Sequence, residues 1–183
     1  MRLSSRFASL LLCALLVPFA TSLGSSQAAG PAQSLTLGPS GLPLPRFVSL
    51  KSGKVNLRIG PGLNYPVEWM YTKPGLPMEI VQEYDNWRRV RDAEGTEGWI
   101  NQSLLSGKRT AIVSPWHRGK DALIPMRVSP DAEARIVAQL EPGVIAQLST
   151  CNGEWCEVES GRVRGWVEQS QLWGAYPGER LSD

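Results

Sequence analysis

The sequence predicts an all-β protein with two small, half-open β-barrels in tandem, and an internal repeat is the main reason. The segment Val55–Gly62 returns as Ile124–Asp131, and Gly98–Ile100 returns as Gly165–Val167. The spacing between the two copies falls only from 69 to 67 residues along the chain. A repeat of this length is too large for one solenoid turn and fits two small folding units.

The residue pattern inside each copy predicts β-strands. Short runs of Val, Ile, Leu and aromatic residues are bounded by Gly, Pro, Asn and Asp, which is typical of strands at regular spacing. No segment keeps a long 3.6-residue period, so no helical domain is expected. Five or six strands in about 60–65 residues predict a barrel that protects its own edges. The predicted strands are 46–51, 54–59, 67–73, 77–83, 87–91 and 97–100, then 110–113, 124–128, 135–140, 144–150, 155–159 and 163–167. A 3₁₀ turn is expected to close each copy, at 101–105 and 168–172.

The N-terminus has the features of a secretory signal peptide. Arg2 and Arg6 precede an apolar run from Phe7 to Ala20, and that run is too short to span a bilayer. We expect cleavage near Ala28 and export to the periplasm, with no membrane span after cleavage; an uncleaved anchor is the alternative. The expected organisation is a signal peptide (1–28), a Pro/Gly-rich linker (29–45) read as an extended tether, a first domain (46–107), a connector (108–122), a second domain (123–176) and a tail (177–183).

The charge balance argues against nucleic acid as a partner. Without Arg2 and Arg6, the chain has 17 basic and 17 acidic residues, so no global basic field attracts phosphate. The charge is uneven, however: residues 45–109 carry 10 basic and 7 acidic side chains, whereas residues 110–183 carry 7 and 10. This split either helps the two modules dock or is ordinary variation between two solvated surfaces.

Two cysteines remain after cleavage, and they flank a turn. Cys151 and Cys156 enclose Asn152-Gly153, a strong hairpin signal. Opposed residues on antiparallel strands lie within disulfide range, and an exported protein keeps such a bond. We therefore expect a Cys151–Cys156 disulfide, with two reduced thiols as the alternative. No metal site is expected, because these cysteines and the distant His117 do not make a four-ligand set.

Two pairs of repeated residues have structural interpretations. Trp99 and Trp166 are expected to pack in the cores of their barrels. Arg58 and Arg127 occupy one position in both copies. An intramolecular brace across the long first loop is the favoured role of these arginines, and binding of a ligand carboxylate is the alternative.

The combined motifs resemble the bacterial SH3-like domain. The match is carried by Asn56-Leu57-Arg58, Gly60-Pro61-Gly62 with Tyr65, Asn86-Trp87-Arg88-Arg89-Val90 and Gly98-Trp99-Ile100. It covers about residues 46–173, and the tandem arrangement resembles exported proteins of alphaproteobacteria. The resemblance implies binding in the cell envelope, to peptidoglycan stem peptides or other extended peptides, and implies no catalytic activity and no cofactor.

A groove in the first domain is the expected binding site. It would lie between the long first loop and the turn before the Trp87 strand, where aromatic rings offer rigid contact area. Trp69 and Tyr71 alternate on one strand and share a face. Each ring is also a plausible partly buried barrel residue. The candidate residues are Asn64, Tyr65, Trp69, Tyr71, Tyr84, Asp85, Asn86 and Trp87.

The second copy departs from this pattern, which favours binding by the first. Tyr65, Trp69 and Tyr84 correspond to Ala134, Ala138 and a residue near Asn152. Two functions stay open: a wall-binding protein that uses the first groove, and an adaptor whose paired modules engage a periplasmic protein through sheet edges, Trp116 or the 173–176 segment. Catalysis is not expected, because no nucleophile and base are placed together.

Overall fold

The computed structural model describes residues 36–182, which belong to one compact unit and form two curled antiparallel sheets, one for each copy of the repeat. The expected all-β fold of two tandem half-open barrels is confirmed. The predicted signal peptide and residues 29–35 of the predicted linker lie outside the described residues. No helix within 36–182 is long and apolar enough to cross a membrane.

The first sheet contains seven strands, preceded by a small hairpin. Its strand order is β5-β4-β8-β7-β6-β3-β9, and every pairing is antiparallel. A 3₁₀ turn at Gln102–Leu104 precedes the last strand. The hairpin is β1 (Thr36–Leu37) and β2 (Pro43–Leu44), and the sheet strands are β3 (Arg46–Leu50), β4 (Val55–Arg58), β5 (Val67–Tyr71), β6 (Pro77–Tyr84), β7 (Trp87–Arg91), β8 (Glu97–Asn101) and β9 (Leu105–Ser106).

The second sheet repeats this topology and adds one strand at its C-terminal end. Its order is β12-β11-β15-β14-β13-β10-β16, and the added strand β17 pairs with β13. Further 3₁₀ turns lie at Pro115–His117 and Gln169–Gln171. The strands are β10 (Thr110–Val113), β11 (Ile124–Arg127), β12 (Ile136–Leu140), β13 (Ile145–Asn152), β14 (Trp155–Ser160), β15 (Val163–Glu168), β16 (Leu172–Trp173) and β17 (Arg180–Leu181).

Each module has its own apolar core, which alternation along the strands explains. Residues at every second position of a strand face one side of the sheet. In the first module the fully buried residues include Leu57, Val90 and Ile100, and in the second they include Val158 and Val167. Both clusters are therefore the concave faces of their own sheets.

The same alternation corrects the prediction for two tryptophans. Ile100 and Val167 are fully buried, so the neighbouring Trp99 and Trp166 lie on the outer faces of their strands and are only half-buried. The expectation that these two rings fill the barrel cores is wrong. The glycine before each tryptophan holds an inner position: a Cβ on Gly98 would come within 2.5 Å of the Leu57 Cγ atom.

The linker expectation is also wrong for residues 36–45, because this segment folds onto the first module. Ser40, between β1 and β2, donates from its backbone nitrogen (2.9 Å) and its hydroxyl (2.8 Å) to the Glu83 carboxylate. Arg46 and Arg88 also contact this carboxylate, at 2.6 and 3.2 Å. The hairpin folds onto the module because it supplies hydrogen-bond donors to the buried Glu83 carboxylate. Ser40 and Glu83 are 43 residues apart, so local composition does not reveal this interaction.

The disulfide of the second module takes the place of that ion pair. Glu83 is directly opposite Arg88 across β6 and β7, and Cys151 is directly opposite Cys156 across β13 and β14. The sulfur atoms of Cys151 and Cys156 are bonded, as predicted. At the same cross-strand position on the concave face, the two strands are therefore linked by a buried ion pair in the first module and by a covalent bond in the second.

The boundaries predicted for the second domain need two changes. Strand β10 pairs with β13 and β16, so the second sheet begins at Thr110, inside the predicted connector. Residues Arg180 and Leu181 of β17 pair with Asn152 and Cys151 of β13, so this part of the predicted tail belongs to the same sheet. Backbone pairing, which the polar composition of the tail does not indicate, is the reason for this difference.

An aromatic contact joins the two modules. Phe47, on the outer face of β3, is only 8% exposed. Its ring lies 5.1 Å from the Trp173 ring and 4.8 Å from the Tyr176 ring, and the Arg109 guanidinium lies 5.7 Å from its centroid. The Tyr176 hydroxyl donates to Glu79 across the same boundary. The 173–176 segment is therefore occupied by contacts within the chain.

Candidate functional site

The most exposed aromatic contact of the first module lies on the outer face of its sheet. Tyr84, at the end of β6, is 60% exposed. Its ring lies 6.5 Å from the Trp99 ring, at an interplanar angle of 82°. Two rings set edge to face, with one of them largely in solvent, provide rigid contact area at low entropy cost.

The turn after Tyr84 fixes the position of its backbone. Only Asp85 and Asn86 connect β6 to β7, and Asp85 has a positive φ of 49°. The Asn86 carbonyl accepts from the Gln102 backbone nitrogen at 2.9 Å, and the Asn86 side-chain oxygen accepts from the Gln102 amide at 2.7 Å. Asp85 and Asn86 are both exposed, so the turn is anchored to the 3₁₀ turn while its outer surface stays open.

Trp99 lies between the two halves of the predicted groove. Across β8 it pairs with Arg58 of β4 on one side and with Arg89 of β7 on the other. Trp99 was not among the predicted groove residues, because a tryptophan is usually assigned to a core. The signal was present: Gly98 and Ile100 occupy the inner positions, and strand alternation then places Trp99 outside.

The long first loop is braced by Arg58, as predicted. The Arg58 guanidinium donates to the carbonyl oxygens of Leu63 (3.2 Å) and Tyr65 (2.6 Å), and Arg127 makes the equivalent bond to Ala134 (2.7 Å). Because Arg58 also pairs with Trp99, the brace fixes the Tyr65 segment beside the strand that carries Trp99.

Glycine is required under the Tyr65 ring. A Cβ on Gly60 would collide with the ring, at 2.5 Å from its Cε1 atom. Tyr65 itself is 40% exposed, and Asn64 beside it is also exposed. The outer face of the first module thus carries what we call the aromatic patch, defined as Tyr65, Tyr84 and Trp99.

Three of the aromatic residues predicted for the site do not belong to this patch. Trp87 is buried, with 9% of its surface exposed. Tyr71 is also buried, and its hydroxyl donates to the Asp92 carboxylate at 2.9 Å. Trp69 is 58% exposed, but it lies on β5, a strand that pairs with β4 alone and forms the edge of the sheet.

The environment of Tyr71 keeps its hydroxyl in a structural hydrogen bond. Burial, the hydrogen bond to Asp92 and the nearby negative charge together raise the pKa of Tyr71 far above its ordinary value. The hydroxyl therefore stays protonated and remains a donor to Asp92. Asp92 in turn accepts the backbone N–H groups of Glu94 and Thr96, which holds the β7–β8 turn.

Charged side chains surround the aromatic patch. Arg89 and Arg91 follow on the same face of β7, and each has 45% of its side chain exposed. They pair with Glu97 and Glu79, at 2.9 and 2.6 Å. Arg89 is directly opposite Trp99 and Arg91 is directly opposite Glu97 across β7 and β8, so cationic side chains lie close to the aromatic surface.

The second module lacks the equivalent patch. Ala134 stands at the position of Tyr65, and Asn152 stands at that of Tyr84. Trp166 is retained and pairs with Arg127 and Glu157, so a carboxylate replaces the Arg89 guanidinium. The two outer faces therefore differ in both aromatic content and charge.

The described residues contain no cluster of three or more His, Cys, Asp or Glu side chains suited to a metal ion. A serine–histidine contact does occur, because the Ser114 hydroxyl lies 2.8 Å from Nδ1 of His117. Ser114 is fully buried, however, and its hydroxyl also contacts Gln171. A nucleophile must reach its substrate, so this contact is a structural one.

The family model for the bacterial SH3 domain matches residues 51–107 and 120–174. No curated protein matches the chain. Two solved structures, NlpC2 and NlpC1 from Trichomonas vaginalis, are each 13% identical to it, with TM-scores of 0.31. The alignments cover 70% and 78% of this chain and 48% and 50% of those chains, so this chain spans about half the length of each.

Proposed function

Because the chain belongs to the bacterial SH3 domain family, we propose that it is a non-catalytic binding protein of the periplasm whose ligand is the stem peptide of peptidoglycan or another extended peptide. The ligand binds the aromatic patch of the first module. Export rests on the predicted signal peptide, and the ligand class rests on the family resemblance together with the chemistry of the patch.

The observation that carries the proposal is the exposed Tyr84 ring held against Trp99. Exposed aromatic rings on a rigid sheet are typical anchors for a ligand, since little entropy is lost when they bind. Arg89 and Arg91 beside them suit a peptide that carries carboxylates. The second module supports the assignment by contrast, because Asn152 and Glu157 replace Tyr84 and Arg89.

A second candidate function is an adaptor that binds a periplasmic protein. One observation favours it: β5 is an edge strand, and Val67, Trp69 and Met70 along it are 45–58% exposed. Unpaired backbone groups beside apolar side chains suit the addition of a strand from a partner. The 173–176 segment no longer supports this function, since its rings pack on Phe47.

Co-sedimentation with purified sacculi tests the first proposal. The chain from residue 29 is pelleted with intact sacculi and with sacculi stripped of stem peptides. We expect saturable binding to intact sacculi and loss of binding with the peptides. Tyr84→Ala/Trp99→Ala should weaken binding at least about tenfold, since aromatic anchors dominate such interfaces.

Trp166→Ala is the matched control, because it removes the same residue from the equivalent strand of the second module. Circular dichroism confirms that each variant is folded. Trp99→Ala is also measured alone, and equal losses for Trp99→Ala and Trp166→Ala would contradict a site on the first module. Failure of the wild-type chain to pellet at tens of micromolar protein would reject peptidoglycan and favour the adaptor function.

A further inference from the structure

A cleft in the second module lies apart from the aromatic patch. It has a volume of 630 Å³ and lies between the connector and the C-terminal segment. This size is within the range of ligand sites in proteins. Most of its lining is apolar, with few polar groups. Its lining includes Trp116, Glu154, Gln169, Leu172, Trp173 and Ala175.

Trp116 is held at this cleft by a constrained segment of backbone. Ser114, at the start of its 3₁₀ turn, has a left-handed φ of 39° although it is not glycine. The buried Ser114 is fixed to Gln171 by a backbone bond of 2.7 Å and a hydroxyl bond of 3.1 Å. Residues kept in such conformations often serve a site. Trp116 itself remains 49% exposed.

Gln169 in the lining of the cleft is buried and incompletely paired. It is only 5% exposed. Its amide nitrogen donates both hydrogens, to the carbonyl oxygens of Tyr176 (2.9 Å) and Glu179 (3.0 Å). This fixes the orientation of the amide, and the remaining oxygen, Oε1, has no partner. A buried acceptor without a donor is energetically unfavourable, so a ligand donor that reaches this atom would be favoured.

The first module shows which donor belongs at this position. Gln102 precedes β9 as Gln169 precedes β16, and its Oε1 accepts from the guanidinium of Arg88. In the second module Cys156 stands at the position of Arg88, because the disulfide has replaced the Glu83–Arg88 pair. With cysteine in place of arginine, the second module has no guanidinium at this position, and the Gln169 Oε1 atom lacks the donor that Gln102 has.

We infer that the cleft of the second module binds the guanidinium of an arginine side chain in an extended peptide. The guanidinium stacks on Trp116 or Trp173 and donates to Gln169, as Arg88 does to Gln102 in the first module. The exposed carboxylate of Glu154 lies on the rim and has no ion-pair partner among the described residues. This site does not depend on the proposed function of the aromatic patch.

One cation of the protein faces the same rim. The Arg180 side chain lies against Gly153, with Nε 3.8 Å from the site of a Cβ there. It opposes a cationic ligand through charge repulsion, whereas Glu154 attracts one. The inference therefore predicts opposite effects for two exposed rim residues: Glu154→Gln weakens arginine binding and Arg180→Ala strengthens it.

The test is a titration of the ¹⁵N-labelled chain with the peptide acetyl-Gly-Arg-Gly-amide, followed by NMR. We expect saturable shifts of the Trp116 indole and the Gln169 side-chain amide at millimolar peptide. The citrulline peptide, which is neutral but keeps the shape, should bind at least about fivefold more weakly because it lacks the charge. Trp116→Ala should weaken arginine binding at least about tenfold.

Trp69→Ala is the control, since it removes an equally exposed tryptophan from the first module and should leave the affinity unchanged. Three results would overturn the inference: no saturable shift at these two groups, equal affinity for the arginine and citrulline peptides, or unchanged affinity of the Trp116→Ala variant. Because Trp116 and Glu154 are exposed, neither variant is expected to unfold the module.

Discussion

Replacing Glu83 by glutamine should destabilise the first module by about 3–5 kcal/mol at pH 7, the usual cost of removing one partner from a buried ion pair. Only 1% of the Glu83 side chain is exposed, yet two bonds from Ser40 and the guanidinium groups of Arg46 and Arg88 converge on it. Glutamine keeps the shape but leaves both cations without their anion. Urea unfolding at pH 7 measures the loss.

The same residue predicts a pH dependence. Burial alone would raise the pKa of Glu83, but the hydrogen bonds from Ser40 and Arg46 outweigh it and lower the pKa from 4.5 to about 2. A lowered pKa in the folded state contributes stability above the unfolded pKa. About 3 kcal/mol should therefore be lost as the pH falls from about 4.5 to about 2. The glutamine variant should lack this component.

Glu97→Gln is the matched control for Glu83→Gln. Its ion pair with Arg89 has a similar length, 2.9 Å, but the two side chains are 32% and 45% exposed. Exposed pairs contribute less than about 1 kcal/mol. Equal effects of the two variants at pH 7 would contradict the role assigned to Glu83, as would an unchanged acid transition in the Glu83 variant.

Truncating Phe47 to alanine should uncouple the two modules. Phe47 is buried against Trp173, Tyr176 and Arg109 of the second module, and removing a buried phenylalanine costs about 3–5 kcal/mol. Each module keeps its own core, so this loss falls on the contact between them. We expect the wild-type chain to unfold in one transition and the Phe47→Ala variant to unfold in two.

Calorimetry and tryptophan fluorescence during urea unfolding measure the separation. Leu63→Ala is the control, because Leu63 is 78% exposed and its truncation should change little. A single transition with the wild-type midpoint in the Phe47 variant would show that other bonds suffice to couple the modules. Two hydrogen bonds could then couple the modules, one between Tyr176 and Glu79 and one between Thr110 and Gly75.

Local sequence patterns predicted the strands and the Arg58 brace because the residues that determine each of them are close together in the chain. The alternation of apolar residues gave the sheet, and the repeat gave the number of modules. Arg58 bonds carbonyls only five and seven residues away. The disulfide was predictable for the same reason, since Asn152-Gly153 places Cys151 opposite Cys156.

The predictions for the linker and the tail were wrong because contacts between residues distant in sequence order these segments. Ser40 reaches Glu83 across 43 residues, and Tyr176 reaches Glu79 across 97. These bonds convert a Pro-rich linker and a polar tail into ordered structure. Trp99 is a different case. Strand alternation alone places Trp99 on the outer face, but its contact with Tyr84 depends on the register of β6, β7 and β8, which local pattern does not give.

If the first module binds peptide through the aromatic patch, the environment of the Trp99 indole changes when peptide binds, and NMR of the tryptophan indoles measures that change. The ¹⁵N-labelled chain from residue 29 is titrated with soluble stem-peptide fragments released from peptidoglycan. We expect saturable shifts of the Trp99 indole and of backbone groups at Tyr84 and Tyr65, with Trp166 unaffected. Shifts confined to Trp69 or Trp166, or no shift at Trp99 at saturating fragment, would contradict it.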